Sequence, residues 1–312
     1  MQTTNRVLMV RPCRFAFNDE TAENNAFQQK SASLEAAQYV ERKAVEEFDS
    51  YVALLRENGI MVDILQDTPD PFTPDSIFPN NCFSTHRDGT EDVGTPDATR
   101  TLVLYPMFAM NRRLERDKLL KSSALKGFSR IVDLTSWEAQ GKFLEGTGSL
   151  VLDRDNRIAY ACRSPRTCEE VVSEWARQMN FRYVLFDSTD EKGQPVYHTN
   201  VVMHVGTRLA IVCLDSVSDE RQRLQLLESL EGSGKKVVAI NFEQMHQFAG
   251  NMLELRNESG EKLIIMSRTA RQALTQEQTT AIEEDTRIVS PDINAIETTG
   301  GGSARCMIAE LF

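Results

Sequence analysis

Short apolar runs and amphipathic segments alternate along this chain in a repeating order. Residues 149–152 and 158–162 are apolar runs separated by a polar turn, and they predict two strands. A segment with apolar residues at helical spacing follows at 166–179, and a further apolar run at 183–186 predicts a third strand. The predicted unit is therefore strand, strand, helix, strand.

The same order recurs on both sides of this unit. On the C-terminal side the pattern predicts strands 201–205 and 209–214, helix 218–230 and strand 237–240, then strands 252–255 and 263–266, helix 270–284 and strand 288–289. On the N-terminal side it predicts strands 101–105 and 131–134 around helix 111–126, and strands 7–10 and 60–65 around helix 35–58, which Gly59 ends. Each unit takes roughly 50 to 70 residues, which indicates repeat architecture.

The two ends of the chain complete the pattern. Four units are complete, and the apolar run at 306–311 supplies the first strand that is missing before 7–10. We therefore predict one α/β domain over 1–312, a five-bladed α/β propeller with pseudo-fivefold strand-strand-helix-strand units and its helices outside. The alternative is a doubly wound α/β sheet, which predicts a single strand between helices. Two strands precede each helix here, which favours the propeller.

Polar residues gather where the first strand of each unit begins. If the units superpose, these entrances converge on the central axis; they are Asn80 and Asn81, 145–148, 198–200, Gly250 and Asn251, and Arg305 and Cys306. They include the thiol of Cys306, the imidazole of His198 and the carboxylate of Glu145. Nucleophilic acyl-type chemistry uses this set, because the thiolate attacks, the imidazole shuttles protons and the carboxylate orients it.

Each of these residues also has a structural alternative. Free cysteine is among the most often buried residues, so Cys306 is also compatible with a role in the core. Cys82, next to the first entrance, is an alternative reactive thiol. The remaining thiols and imidazoles are expected to be structural or solvated; they are Cys13, Cys162, Cys168, Cys213, His86, His204 and His246.

Composition and charge narrow the range of partners. The 312 residues are 41% hydrophobic and carry a net charge of −11, so the long-range field repels nucleic acid and anionic membranes. No apolar run approaches the roughly 18 residues that span a bilayer, so we expect a cytoplasmic protein without a membrane partner. The six cysteines lack metal-type spacing, which predicts reduced thiols and no metal site.

The entrance motifs resemble those of the guanidine-modifying superfamily, which contains amidinotransferases, arginine deiminases and dimethylarginine hydrolases. Segment 300–307 (GGGSARCM) resembles the Gly-rich Arg-Cys-Met ending of arginine deiminases. Segments 144–148 (LEGTG) and 198–200 (HTN) resemble their Leu-Glu-Gly-Gly-Asp and His-x-Asp boxes, and 75–81 (DSIFPNN) is similar to the Asp-x-x-Phe box of dimethylarginine hydrolases. The FPNN and GGGSxRCM forms are most similar to those of citrulline-utilisation hydrolases.

The resemblance implies a role for each matched residue. Cys306 would be the nucleophile, His198 the general acid and base, and Glu145 the acidic partner. Segments 164–167 and 112–115 look like those that supply arginines for the substrate α-carboxylate, although the choice between Arg112 and Arg113 stays open. The implied substrate-binding residues are Asp75, Asn80, Asn81, Asn200, Arg113, Arg166 and Arg305. The resemblance implies no metal and no organic cofactor.

Departures from the deiminase pattern bear on the substrate. Asn81 and Asn200 stand where deiminases have carboxylates, and Gly148 replaces an aspartate. Burying a cation without matching anions is costly, whereas amides satisfy a neutral ureido group. We therefore expect citrulline to be hydrolysed to ornithine, ammonia and carbon dioxide through a covalent thio-intermediate. Asp75 and Glu145 supply carboxylates that also suit a guanidinium, so an arginine deiminase or dimethylarginine hydrolase is the alternative.

Two further classes stay open on the sequence alone. An amidinotransferase would pass the group to an amine instead of water. A propeller that acts only as a binding or assembly factor would not need Cys306, His198 and Glu145 to line one channel. A homodimer is the default expectation for the assembly.

Overall fold

The strands of this protein are arranged in five small sheets. A computed structural model describes residues 1–87 and 99–312. In these residues the strands are β1 (Arg6–Arg11), β2 (Met61–Gln66), β3 (Phe83–Arg87), β4 (Arg100–Leu104), β5 (Arg130–Asp133), β6 (Val151–Asp153), β7 (Ile158–Arg163), β8 (Arg182–Asp187), β9 (Met203–Val205), β10 (Leu209–Val212), β11 (Lys236–Ala239), β12 (Leu253–Arg256), β13 (Lys262–Ile265), β14 (Arg287–Val289) and β15 (Ala309–Glu310).

All five sheets have the same topology. Their strand orders are β15-β1-β2, β3-β4-β5, β6-β7-β8, β9-β10-β11 and β12-β13-β14. The middle strand pairs antiparallel on one side and parallel on the other; Val7 of β1, for example, lies opposite Glu310 of β15 and Val62 of β2. The predicted strand-strand-helix-strand unit is confirmed, including the sheet that both chain ends share. Five separate sheets exclude a single doubly wound sheet.

A helical segment joins each parallel pair of strands, as a parallel crossover requires. The α-helices of the described residues are α1 (Leu34–Glu57), α2 (Met110–Arg113), α3 (Glu115–Leu119), α4 (Gly146–Ser149), α5 (Glu169–Met179), α6 (Thr199–Val202), α7 (Glu220–Gly232), α8 (Phe242–His246), α9 (Arg268–Ala273), α10 (Gln276–Glu283) and α11 (Asn294–Gly300). None of the helices in 1–87 and 99–312 combines the length and apolar character that crossing a bilayer requires.

The longest helix shows how the pattern becomes structure. Ser33 caps α1 by accepting a hydrogen bond from the Ala36 backbone N–H, and Gly59 follows its end with φ of +78°, a conformation that favours glycine. One face of α1 buries Phe48 and Leu55 against the first sheet. Burying each such side chain stabilises the fold by about 1.5–3 kcal/mol.

Two of the predicted helices are each divided into two shorter helices in the structure. The helix predicted at 111–126 is α2 and α3, which end at Leu119. Lys118 of α3 is buried and donates to Asp67, Thr73 and nearby carbonyls. The helix predicted at 270–284 is α9 and α10, because Leu274 is extended and Thr275 caps a new helix with Gln278.

Several predicted boundaries near the entrances are also wrong. The strands predicted to begin at 149 and 201 begin at Val151 and Met203, because 146–149 and 199–202 form the single helical turns α4 and α6. The helix predicted at 166–179 begins at Glu169, which leaves Arg166 in the preceding loop. The terminal strand is only Ala309–Glu310, and the glycine-rich stretch before it begins inside α11.

Candidate active site

The thiol of Cys306 lies in a tight turn that the preceding glycines make possible. A Cβ on Gly300 or Gly302 would stand 2.7 or 3.0 Å from the ring of Phe78, so only glycine lets the backbone approach this closely. Gly301 ends α11 with φ of +62°. The Cys306 N–H donates to Ser303 O at 2.9 Å and closes the turn. Cys306 itself is 4% exposed.

Two amides hold the sulfur of Cys306. Asn251 Nδ2 lies 3.3 Å from Cys306 Sγ and Asn200 Nδ2 lies 3.5 Å from it. Asn200 comes from α6, which precedes β9, and Asn251 lies two residues before β12, so the segments that lead into two different sheets supply them. Two of the other predicted entrances, at Asn200 and Asn251, therefore meet Cys306.

His198 and Glu145 form a buried pair beside these amides. His198 Nε2 lies 2.8 Å from Glu145 Oε2, and its other nitrogen, Nδ1, lies 3.5 Å from Asn81 Nδ2. An amide nitrogen can only donate, so we assign Nδ1 as the unprotonated nitrogen and place the imidazole proton on Nε2, directed at Glu145. Phe108 N donates to the second oxygen of Glu145 at 2.9 Å.

Burial and charge set the protonation of this pair. Burial acts to raise the pKa of Glu145, but Arg166, at 3.6 Å, and the bond to His198 outweigh it and lower the pKa to about 2. Burial lowers the pKa of His198 to about 4, although the bond to Glu145 opposes this shift. At neutral pH the pair is therefore an anionic carboxylate and a neutral imidazole that can accept a proton at Nδ1.

Gly148 is required by the geometry around His198. A Cβ at this position would lie 2.3 Å from Asn81 Nδ2 and 2.7 Å from His198 Nδ1. The aspartate that deiminases carry at the matching position would thus collide with both side chains as they stand here. The glycine at position 148 therefore leaves the space that the Asn81 side chain occupies.

Asp75 is bound by the segment 18–28. Its Oδ2 accepts hydrogen bonds from Asn18 Nδ2 at 2.7 Å and Thr21 Oγ1 at 3.2 Å, whereas its Oδ1 is buried without a donor. The acceptor oxygens Oδ1 of Asn80 and of Asn200 are likewise buried without a donor. Burial raises the pKa of Asp75, although Arg112 opposes the shift.

Segment 18–28 ties the first sheet to several entrances. Asn25 Nδ2 and Gln28 Nε2 donate to the carbonyls of Gly301 and Gly300 at 3.4 and 3.0 Å. Arg166, 2% exposed, donates to Thr21 O at 2.9 Å and to the side chain of Asn24. The segment therefore lies across the glycine-rich turn and the arginine that the resemblance assigns to the substrate carboxylate.

The neighbouring arginines of α2 differ in their contacts. Arg112 is buried; it pairs with Glu115 at 2.9 Å and donates to the carbonyls of Asp75 and Phe78, so it fixes the loop that carries Asp75. Arg113 is half-buried and donates to the carbonyls of Met107 and Phe108 at 2.9 and 3.3 Å. Arg112 therefore supports the loop that carries Asp75. Arg113 binds the carbonyl of Phe108, the residue whose N–H donates to Glu145.

Arg305 supports the site through its backbone. Its N–H donates to Asn251 Oδ1 at 3.1 Å, while its guanidinium donates to Ile308 O at 2.8 Å and to Glu310 at 2.7 Å. The guanidinium of Arg305 is thus engaged within the protein, and a contact between Arg305 and the substrate stays a prediction.

The second candidate thiol has the wrong surroundings for a nucleophile. Cys82 Sγ donates to Glu115 at 3.1 Å, and burial together with this carboxylate raises the pKa of Cys82 well above its ordinary value. All six cysteines are free thiols. Within 1–87 and 99–312, no three His, Cys, Asp or Glu side chains are grouped in a way that would hold a metal ion.

Comparisons with known proteins identify the family of this chain. The sequence model of the family described as "N,N dimethylarginine dimethylhydrolase, eukaryotic" matches residues 11–312. A search of curated proteins finds no match.

Solved structures share the fold at low sequence identity. The N-terminal domain of ArgZ with bound substrate, an arginine dihydrolase from the ornithine-ammonia cycle in cyanobacteria, is 16% identical with a TM-score of 0.70, and the alignment covers 98% of both chains. AgrE with L-arginine is 16% identical with a TM-score of 0.73, covering 98% of this chain and 40% of that one. A dimethylarginine dimethylaminohydrolase adduct with S-methyl-L-thiocitrulline is 16% identical with a TM-score of 0.63, covering 99% of each chain.

The lengths of these relatives differ. The chain spans 39% of the longer ArgZ chain and 98% of its N-terminal domain. The family match covers nearly all of the present sequence. The chain therefore belongs to the N,N dimethylarginine dimethylhydrolase family within the guanidine-modifying superfamily.

Proposed function

We propose that this protein hydrolyses the ureido group of citrulline to ornithine, ammonia and carbon dioxide. Cys306 is the nucleophile, His198 the general acid and base, and Glu145 the group that orients His198 and balances its charge. One observation carries the choice of substrate. Among the described residues, the side chains hydrogen-bonded to Cys306 Sγ are the neutral amides of Asn200 and Asn251.

The charges around the site support a neutral reacting group. Arg112 is paired with Glu115, and Arg166 lies 3.6 Å from Glu145, so these charges are matched within the protein. Asp75 is the remaining carboxylate, and burial raises its pKa, which favours its uncharged form. A guanidinium would enter with a positive charge for which Asp75 is the available partner, whereas a ureido group needs none.

Three acceptors without donors also match a ureido group. The Oδ1 atoms of Asp75, Asn80 and Asn200 are buried and accept no hydrogen bond. A ureido group offers three N–H bonds, and an amino-acid ligand that supplied them would remove the cost of leaving buried acceptors unpaired, about 1–3 kcal/mol each.

The chemistry follows from the protonation of the pair. The proton of the Cys306 thiol passes to Nδ1 of His198, and the resulting thiolate forms a bond to the ureido carbon. The bond between the ureido carbon and its terminal nitrogen breaks, and that nitrogen leaves as ammonia after taking the proton from His198. Water then attacks the thiocarbamoyl carbon and gives a proton to His198. The carbon–sulfur bond breaks and the sulfur takes the proton back from His198, which restores the thiol. The released N-carbamate then loses carbon dioxide and leaves ornithine.

Glu145 stabilises the transient imidazolium of His198. Its carboxylate lies 2.8 Å from Nε2, the nitrogen that keeps its proton throughout. The ion pair that forms when Nδ1 gains a proton lies in a fully buried place, where charges interact more strongly than in water.

The five sheets are proposed to close into a single propeller domain over 1–312. Hydrogen bonds that link each sheet to the next support a ring; they run from Thr147 Oγ1 to Asn80 O (3.2 Å), Thr199 Oγ1 to Ser149 O (2.6 Å), Asn251 Nδ2 to Asn200 O (3.0 Å), Arg305 N to Asn251 Oδ1 (3.1 Å) and Thr85 Oγ1 to Glu310 O (2.9 Å). A cytoplasmic location and a homodimer stay predictions.

Hydrolysis of arginine or a methylated arginine is the second candidate. It is favoured by the family description, by the arginine dihydrolase ArgZ and by AgrE with L-arginine among the structures of the same fold. In this chain the unpartnered Oδ1 of Asp75 is the group that would face a guanidinium. The non-enzymatic and transferase alternatives are set aside because the family is one of hydrolases.

A substrate panel tests the proposal. Ammonia release is measured with citrulline, arginine, dimethylarginine and agmatine, using the wild type and Cys306→Ala. The proposal predicts turnover of citrulline by the wild type alone, with kcat/KM for citrulline at least tenfold above that for arginine. A preference for arginine or dimethylarginine would replace citrulline as the substrate, and activity that survives in Cys306→Ala would remove the nucleophile.

A further inference from the structure

The amide of Asn251 is held in one orientation against the nucleophilic sulfur. Its side chain is wholly buried, and its Oδ1 accepts the Arg305 N–H at 3.1 Å. A backbone N–H can only donate, so Oδ1 is fixed as the oxygen and Nδ2 as the nitrogen. Nδ2 in turn donates to Asn200 O at 3.0 Å and lies 3.3 Å from Cys306 Sγ. The two backbone contacts therefore orient the amide so that one of its N–H bonds is directed at the sulfur.

The resting imidazole cannot supply the same support. Burial lowers the pKa of His198 to about 4, so the ring is neutral at neutral pH, and its Nε2–H is directed at Glu145. The guanidinium of Arg305, the residue next to Cys306, is committed to Ile308 O and Glu310. The sulfur thus gains its hydrogen bonds from neutral amides, and an N–H donor stabilises a thiolate more than a thiol.

We propose that Asn251 is a catalytic residue whose Nδ2–H stabilises the Cys306 thiolate and aims it, with Asn200 as the second donor. When the thiol loses its proton to His198, the negative charge on sulfur faces two amide N–H groups that were already in place. No side chain needs to reorganise, which is how preorganised dipoles act on developing charge. The role rests on the proposed attack by Cys306.

Asn251 also couples the nucleophile to its backbone. The same amide binds the sulfur of Cys306 through Nδ2 and the N–H that precedes it in the chain through Oδ1. The Cβ–Sγ bond of Cys306 is therefore fixed relative to its own turn. Asn200 has no such second contact through its oxygen, because Asn200 Oδ1 accepts no hydrogen bond in the protein. Asn200 is free to turn its oxygen to a ligand, whereas Asn251 is not.

The test measures the thiolate directly instead of turnover. Wild type, Asn251→Ala and Asn251→Asp are treated with iodoacetamide from pH 5 to 10, and alkylation at Cys306 is quantified by mass spectrometry of its peptide. Alkylation joins the sulfur to carbon and releases iodide, so its rate follows the thiolate fraction. Asn257→Ala is the matched control, because Asn257 is a largely buried amide in the turn at the far end of β12 and makes its contacts with Ser259 and Glu261.

The expected result is an upward shift of the half-alkylation pH by about one unit in Asn251→Ala, which corresponds to about tenfold less thiolate at a given pH below the midpoint. Asn251→Asp shifts it further, because the added carboxylate repels the thiolate. Asn257→Ala keeps the wild-type profile. Circular dichroism and the unfolding midpoint establish that each variant is folded.

An unchanged profile in folded Asn251→Ala and Asn251→Asp would overturn the assignment, and so would an equal shift in Asn257→Ala. Because alkylation needs no substrate, the result stands whether or not citrulline is the substrate. Failure of the substrate panel with a shifted alkylation profile would overturn the proposed function and leave the role of Asn251 intact.

Discussion

Replacing Glu145 by glutamine changes one buried carboxylate oxygen into an amide nitrogen and forces a choice of orientation. Phe108 N donates to Oε1 at 2.9 Å, and His198 Nε2 donates to Oε2 at 2.8 Å, so both oxygens now serve as acceptors. Glutamine has only one oxygen. If that oxygen keeps the Phe108 bond, its NH₂ group faces His198 Nε2 and drives the proton to Nδ1.

The inverted tautomer is unproductive for a second reason. A proton on Nδ1 of His198 would face Asn81 Nδ2, itself a donor 3.5 Å away. The ring could then no longer take the proton of Cys306 at Nδ1. If the oxygen of the new glutamine turned to His198 instead, Phe108 N would lose its acceptor, and the imidazolium would still lack a counter-charge.

The magnitude follows from the distance between the charges. Two unit charges 2.8 Å apart interact by roughly 6 kcal/mol at an effective dielectric constant of about 20. The neutral amide keeps part of this through its dipole, so we take a loss of about 4 kcal/mol in the transition state. This corresponds to a drop in kcat of about 10³-fold, with KM for citrulline changed by less than about threefold.

The assay is steady-state ammonia release with citrulline, accompanied by ¹⁵N NMR of the histidine ring to identify the tautomer. The matched control is Asp153→Asn, which removes an equally buried carboxylate in β6 whose partners are Lys235, at 3.1 Å, and Asn156. The control is expected to lose stability and to keep its kcat per folded molecule. A Glu145→Gln enzyme within tenfold of wild type would refute the reasoning.

Three further changes probe other parts of the site. Asn81→Asp adds a carboxylate beside His198 and is expected to raise the ratio of kcat/KM for arginine to that for citrulline by about 10- to 100-fold, measured by ammonia release; a lower ratio would count against the amide argument. Gly148→Ala places a Cβ 2.3 Å from Asn81 Nδ2, so we expect kcat to fall more than tenfold and the unfolding free energy to fall by about 1–3 kcal/mol. The control Gly232→Ala has no atom within 4 Å of the new Cβ and should change neither quantity. The pKa of His198 is about 4 in the folded state and about 6.5 in the unfolded state, so protonation of the unfolded chain destabilises the fold as the pH falls from 6.5 toward 4, by up to about 3 kcal/mol. Urea unfolding from pH 7 to 4.5 should therefore show a shallower fall in unfolding free energy for His198→Gln than for wild type. The control His246→Gln, at an exposed site, should match wild type.

The repeat was predictable because it depends on coarse features of the sequence. Each middle strand is an apolar run such as 158–162, and α1 carries its cap and its buried stripe in the sequence itself. The element order therefore predicted five similar sheets and the pairing of the chain ends. The pattern did not predict contacts between polar side chains far apart in the chain, such as those of Lys118, whose partners lie near residue 70.

The central part of the site was predictable for the same reason. Cys306, His198 and Asn200 stand at equivalent positions of the repeat, so superposing the units brings their segments together. The resemblance to the guanidine-modifying superfamily is confirmed by the family match. Asn251 stood at such a position too, and the repeat was the signal that pointed to it.

The outer part of the site could not be inferred from the repeat. Asn18, Thr21 and Asn24 belong to a loop that no other unit has in the part of the chain that the structure describes, so periodicity carries no information about their contacts with Asp75 and Arg166. The difference between Arg112 and Arg113 depends on the exact phase of a four-residue helix. Only the structure shows which of the two supports the Asp75 loop.

The central claim is that Cys306 carries the ureido carbon of citrulline during turnover. The most direct measurement mixes the enzyme with citrulline labelled with ¹³C at the ureido carbon, quenches with acid within one turnover, and examines the Cys306 peptide by mass spectrometry, with labelled arginine in parallel. We expect a labelled adduct on Cys306 with citrulline that is absent in Cys306→Ala. Turnover of citrulline without any labelled adduct, or an adduct formed with arginine alone, would contradict the claim.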